Sequence, residues 1–358
     1  MRRAVCVFVV LGMISSVTNA PKVLFLADAG PVVGGGHVMR CLTLAAALSD
    51  LGAECQFMAP PPVAQILHRF GGDRIGQINC EPDAMVSLAC AQSFDIIVVD
   101  HYGLGADEEA ALVLGRGLVV LDDMPGRVHP CDLLLDPSLG RTVRDYCDWV
   151  PEDAQVLAGP HYALVRPEFA RLRSETLARR KSGGGHGPIL VALGLTDLFG
   201  LTAKVVEVLL ELGLPNPIWA VVGAAAQSLP RLSALAGQYA KLSVYVETLD
   251  MAGLMSGADL AIGAGGSSTW ERACLGLPSL TLILADNQAD MARRLEREGA
   301  SLALDARSPG FGSALAEAVL GLAGRDQALQ ALSHKASALC DGRGSGRVAA
   351  AVLDLCKA

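Results

Sequence analysis

Short apolar runs ending in aspartate or glycine recur along this chain, separated by stretches with apolar residues at helical spacing. Residues 22–28 (KVLFLAD), 53–59 (AECQFMA), 94–100 (FDIIVVD), 117–123 (GLVVLDD) and 132–136 (DLLLD) read as strands. Unbroken apolar runs of this kind suit parallel strands covered on both faces. Between the first two, Val38, Leu42, Ala45 and Leu48 recur at helical spacing, and Gly52 sits where a helix stops. Residues 106–117 (ADEEAALVLGRG) predict another helix. A charged helical stretch ends at Arg180, and residues 181–188 (KSGGGHGP) then break all periodicity, which predicts an interdomain linker. The alternation resumes with strands over 188–194, 218–223, 241–246, 259–266 and 280–285 and a helix over 201–212. A closing helix from about residue 345 carries Val348, Val352 and Leu355 on one face.

This order predicts an α/β chain of two doubly wound, Rossmann-like domains facing a cleft. The expected divisions are an apolar extension over 1–20, a first domain over 21–180, the linker 181–188, a second domain over 189–340 and a closing helix over 341–358. A length of 358 residues agrees with this, at roughly 100–200 residues per domain. Hydrophobic residues at 51% and charged residues at 18% imply large buried cores. A net charge of -8 leaves no basic surplus for a nucleic-acid partner. A phosphate-bearing small molecule stays open, because glycine turns bind phosphate through backbone N–H groups.

The ten cysteines show neither a C-x-x-C pair nor zinc spacing, and Cys41 and Cys274 fall inside predicted helices as small core residues. This favours a reducing, cytoplasmic location. Arg2 and Arg3 before an apolar run, with residues 17–20 loosely resembling a cleavage site, give the alternative of a signal peptide. Its removal would take Cys6 with it and leave nine cysteines; translation from Met13 is the other reading of this run. Beyond it, no apolar stretch is long and charge-free enough to span a membrane. Nothing in the pattern specifies an oligomeric state.

Two glycine turns carry the candidate chemistry. Gly34, Gly35 and Gly36 follow the first strand and precede His37 at a helix start. Glycines admit close backbone approach, and free N–H groups at the helix start favour an anion. His37 can move a proton near neutral pH, and the positive end of the helix predicts a neutral ring. The second turn is residues 262–271 (IGAGGSSTWE). Gly265 and Gly266 permit close approach, Ser267, Ser268 and Thr269 offer N–H groups and hydroxyls to a diphosphate, and Glu271 can accept bonds from ribose hydroxyls. Asp28, Asp100 and Asp122, at strand ends, read as turn or helix caps. No D-x-D motif or metal-ligand cluster is present in the pattern, so neither a metal nor another cofactor is expected.

From about residue 23 to residue 339 the chain resembles the UDP-sugar hydrolases of pseudaminic acid biosynthesis, which act on UDP-2,4-diacetamido-2,4,6-trideoxy-β-L-altropyranose. The resemblance rests on residues 34–44 (GGGHVMRCLTL), 99–104 (VDHYGL), 122–123, 131–136 (CDLLLD), 159–169 (GPHYALVRPEF), 263–278 (GAGGSSTWERACLGLP) and 285–288 (ADNQ). It implies the two-domain GT-B fold shared with UDP-N-acetylglucosamine peptidoglycan glycosyltransferases. It also implies His37 as the group that activates water, and Tyr102 and Asn287 in the sugar site. Glu271 would hold ribose, and the turn at Ser267, Ser268 and Thr269 the diphosphate. Gly34, Gly35, Gly36, Gly265, Gly266 and Gln288 complete the expected UDP site. The family commonly carries Gly-Gly-Ser/Thr-Asp-Pro after the first strand of the second domain; here residues 194–198 read GLTDL, placing Leu195 where backbone would meet nucleotide.

The expected reaction is metal-independent hydrolysis, with neutral His37 drawing a proton from water that attacks the anomeric carbon. Two alternatives stand beside it. A glycosyltransferase would use a hydroxyl acceptor on the same fold, and an exported sugar-binding protein would account for the N-terminal run.

Overall fold

The computed structural model describes residues 20–30, 33–183, 186–197 and 200–357. The N-terminal extension through residue 19, with Cys6 and Met13, lies outside the described residues, as do Gly184, Gly185 and Leu198. Strands β1 (Lys22–Ala27), β2 (Glu54–Ala59), β3 (Gly76–Asn79), β4 (Ile96–Asp100), β5 (Gly117–Leu121), β6 (Leu133–Asp136) and β7 (Gln155–Ala158) form the first sheet. Its order is β3-β2-β1-β4-β5-β6-β7, parallel throughout. Strands β8 (Ile189–Ala192), β9 (Ile218–Val222), β10 (Leu242–Val246), β11 (Leu260–Ala264), β12 (Ser279–Ile283) and β13 (Leu302–Asp305) form the second. Its order is β10-β9-β8-β11-β12-β13, also parallel.

Both sheets are covered on both faces, which is why their strands read as unbroken apolar runs. Val23 and Phe25 of β1 face one core, while Leu24 and Leu26 face another. In the second sheet Ile189 and Val191 of β8 face one side and Leu190 the other. Each sheet reverses its winding once, between β1 and β4 and between β8 and β11. Such reversal points open a crevice at the carboxyl ends of the strands, where ligands of doubly wound sheets bind.

The helix Pro167–Lys181, expected within the first domain, packs on the second. Phe169 joins the core that contains Leu190, Ala261 and Trp270. Arg173 donates to the carbonyls of Cys274 and Ser337, and Arg180 to those of Met255, Ala258 and Leu275. The boundary expected at 180/181 therefore moves ahead of this helix, because its arginines satisfy carbonyls of the second domain. The closing helix Gly344–Asp354 crosses back, and Val348, Ala349 and Val352 share a core with Val38, Cys41 and Ala45.

Candidate active site

The first reversal point places two groups that are far apart in sequence. His37 is the second residue of the helix Gly36–Asp50, just past β1, and Asp100 is the last residue of β4. The Nδ1 of His37 lies 2.7 Å from Asp100 Oδ1 and 3.2 Å from its backbone carbonyl oxygen. Both partners are acceptors, so the neutral ring carries its proton on Nδ1 and keeps Nε2 basic on the cleft side. Arg40, one turn along the same helix, grips Asp100 with Nε and Nη2, each at 2.6 Å. Its Nη1 lies 3.3 Å from Asp123 Oδ2, and the Tyr102 hydroxyl donates to Asp123 Oδ1 at 2.7 Å. The Tyr102 ring meets the His37 ring edge-on, with centroids 4.6 Å apart.

The protonation states follow from these contacts. Burial alone would raise the Asp100 pKa, but Arg40 and His37 outweigh it and hold the carboxyl well below the usual carboxylate range. For His37, burial opposes protonation, yet the Asp100 carboxylate outweighs both burial and Arg40, so its pKa lies above that of an ordinary histidine. This corrects the expectation of a ring kept neutral by its helix end: a carboxylate at 2.7 Å acts more strongly than a helix dipole. Burial, then Asp123, push the Tyr102 phenol up, so it stays a donor.

At the second reversal point β11 runs into Gly265, Gly266 and Ser267 and then the short helix Ser268–Cys274. The turn faces the first glycine loop closely: a Cβ on Gly36 would lie 3.9 Å from Ser267 Oγ. Arg272 is buried beneath the turn, bonding Ser268 Oγ, Ala264 O and Thr269 Oγ1 at 3.0, 3.0 and 3.1 Å. Glu271 Oε1 accepts from Arg166 Nε at 2.8 Å, and the Arg166 guanidinium lies over the Phe169 ring. Asn287 and Gln288 open the helix Asp286–Arg297 on the far wall.

No protein-family model matches the chain. It is 24% identical over 282 residues, 78% of this chain and 97% of the relative, to the UDP-2,4-diacetamido-2,4,6-trideoxy-β-L-altropyranose hydrolase of Campylobacter jejuni. It is 27% identical over 290 residues, 78% of this chain and 82% of the relative, to the spore coat polysaccharide biosynthesis protein SpsG of Bacillus subtilis. Its structure matches the crystal structure of Acinetobacter baumannii MurG with a TM-score of 0.66 at 18% identity, covering 93% of this chain and 99% of that chain. The fold is GT-B.

Within the GT-B cleft two adjoining cavities collect the expected residues. One of about 370 Å³ is lined by Gly36, His37, Tyr102, Gly265, Gly266, Ser267, Asn287 and Gln288. The other, of about 280 Å³, is lined by Gly34, Gly35, Ser268 and Glu271 together with Leu195 and Thr196. Thr269 lines neither; it is 4% exposed and its hydroxyl is turned inward to Arg272. Asp122 caps the turn through Met124 N as expected, and its other oxygen accepts from His129 Nε2 at 2.8 Å. Asp28 carries its backbone N–H to Asp100 O and lines neither cavity.

Sequence reasoning read Asp100 as a cap, where the structure pairs its carboxylate with His37 and Arg40, and it left Arg40, Asp123 and Arg166 without a role. Arg40 carried a usable signal, standing three residues after His37 on the same helix face. Among the described residues no group of His, Cys, Asp and Glu is gathered as a metal site, and no helix is long and apolar enough to cross a membrane.

Proposed function

We propose that this chain is a UDP-sugar hydrolase that releases UDP from UDP-2,4-diacetamido-2,4,6-trideoxy-β-L-altropyranose in cytoplasmic pseudaminic acid synthesis for surface glycans. The observation that carries the reading is the His37–Asp100 pair at one reversal point, facing the Gly265–Gly266–Ser267 turn at the other. Asp100 orients His37 so that Nε2 takes a proton from water. The water oxygen bonds to the anomeric carbon as the bond from that carbon to the β-phosphate oxygen breaks, and UDP departs with the electron pair. Turn N–H groups and the hydroxyls of Ser267 and Ser268 receive the charge that develops on the diphosphate. Glu271, set by Arg166, accepts from the ribose hydroxyls. The likeness to the Campylobacter jejuni hydrolase supports this substrate.

Hydrolysis in ¹⁸O-water is expected to place the label on the released sugar and none in UDP. Label in UDP would mean attack at phosphorus and would refute the mechanism. His37→Gln is expected to keep UDP binding and lower kcat by roughly 10²- to 10⁴-fold. The GT-B fold also accommodates a second reading, in which a hydroxyl acceptor replaces water. UDP release at full rate without any acceptor decides against it.

A further inference from the structure

Three of the first sheet's strand-end aspartates are buried and saturated. Asp100, Asp122 and Asp136 are exposed by 0%, 2% and 0%, and each is held by an arginine, Arg40, Arg127 and Arg141 respectively. Asp123 differs. Its side chain is 30% exposed and lines the same cavity as His37. Tyr102 occupies one lobe of Oδ1, and Arg40 reaches Oδ2 only at 3.3 Å because its other nitrogens hold Asp100. A carboxylate has about four acceptor positions, so Asp123 keeps capacity directed into the cavity.

An acceptor-only group in a cleft that also binds a diphosphate sorts the two ends of the ligand. It repels phosphate and calls for a hydrogen-bond donor on the part of the ligand beside His37. The neighbouring wall is apolar. Leu121 stands two residues before Asp123, pairs in register with Leu135, and both line the cavity with Leu164. A donor N–H beside a methyl is the signature of an acylamino substituent.

We propose that Asp123 is the specificity-determining residue for the sugar, accepting an amide N–H of an N-acylated amino sugar whose acyl methyl packs on Leu121, Leu135 and Leu164. This rests on the UDP-sugar reading above. Isothermal titration of wild type and Asp123→Asn with UDP and with a panel of UDP-N-acylamino sugars tests it. Wild type is expected to bind at least one such sugar nucleotide more tightly than UDP. Asp123→Asn is expected to lose roughly 10- to 100-fold of that affinity, the worth of a hydrogen bond to a charged acceptor, while UDP binding stays within about twofold. Equal losses for UDP and UDP-sugar, no loss, or a wild type that gains nothing from any acylamino sugar would overturn the assignment. A wild type that binds no UDP at all would overturn the UDP-sugar reading itself, a separate outcome. Asp123→Glu, which keeps the charge, is expected to recover part of the sugar preference, and thermal unfolding of each variant confirms that it is folded.

Discussion

Asp100→Asn is the most decisive perturbation of the proposed mechanism. The Asp100 carboxylate takes Nδ1 of His37 at 2.7 Å and two nitrogens of Arg40 at 2.6 Å each. An asparagine offers one acceptor oxygen and an NH₂ group. If that oxygen keeps Arg40, the NH₂ faces His37 Nδ1 and forces the proton to Nε2, the wrong tautomer for drawing a proton from water. Loss of an orienting carboxylate of this kind costs roughly 10³- to 10⁴-fold in kcat. Arg40 would keep a neutral oxygen in place of its carboxylate, and its remaining anionic partner would be Asp123, at 3.3 Å. Breaking a buried ion pair on one side costs about 3–5 kcal/mol. At roughly 2–4 °C per kcal/mol for a domain of this size, the melting temperature should fall by about 10 °C. The pH profile gives an independent reading. In the wild type Asp100 favours the imidazolium, so the acid limb of the rate lies at higher pH than for an ordinary histidine. Removing the charge should move any residual limb to lower pH. Activity is measured as UDP release at 20 °C, below the melting transition of either protein. A variant within tenfold of wild-type kcat, or a limb that stays in place, would refute the pairing as the source of basicity.

Two further outcomes follow from the charged side chains. Glu271→Ala is expected to weaken UDP binding by about tenfold with little change in kcat, since a ribose contact acts equally in ground and transition states; unchanged affinity by titration removes Glu271 from the site. His129 sits between Glu109 at 2.9 Å and Asp122 at 2.8 Å, and although burial opposes its charge, these carboxylates raise its pKa to about 9. A folded pKa above the unfolded value of about 6.5 means stabilisation that is complete below pH 6.5 and lost as pH rises through 9, about 3 kcal/mol in all. Urea unfolding at pH 6 and pH 9.5 measures it, and His129→Gln should flatten the difference.

The central strands were legible because burial on both faces leaves no polar alternation: residues 23–26 of β1 are all fully buried. The edge strands β3, β7 and β13 were not. Gly76–Asn79 carries a single apolar side chain, Ile78, and so shows no run, whereas Leu302–Asp305 (LALD) has a run only three residues long and half-buried along its length, too short to stand out. Local pattern also failed where a charge finds its partner far along the chain. The arginines of Pro167–Lys181 look like a solvated face, yet they bond carbonyls of the second domain. Asp100 and Asp122 end similar apolar runs. Asp122 caps the next turn, while Asp100 meets His37 and Arg40 across about sixty residues of sequence. The two glycine turns were readable because their spacing is local; the carboxylate that sets the basicity of His37 was not.

Leu195 shows how the cleft accommodates a bulky residue in the turn after β8. Its backbone is fixed from behind, since a Cβ on Gly223 would lie 2.3 Å from Leu195 O. The side chain therefore reaches toward the opposite domain, where it meets Gly35. A Cβ there would stand 3.5 Å from Leu195 Cδ1 and 2.9 Å from Ile66 Cδ1. The missing side chain at Gly35 thus makes room for Ile66 of its own domain, while Leu195 stands at ordinary van der Waals distance. Gly34, held at φ 79°, supplies the turn. Gly36, the third glycine of the loop, stands opposite Ser267 and lines the same cavity as His37. Leu195 lines the second cavity, beside Glu271, and not the cavity that holds His37, so its bulk falls on the side of the cleft away from the proposed base.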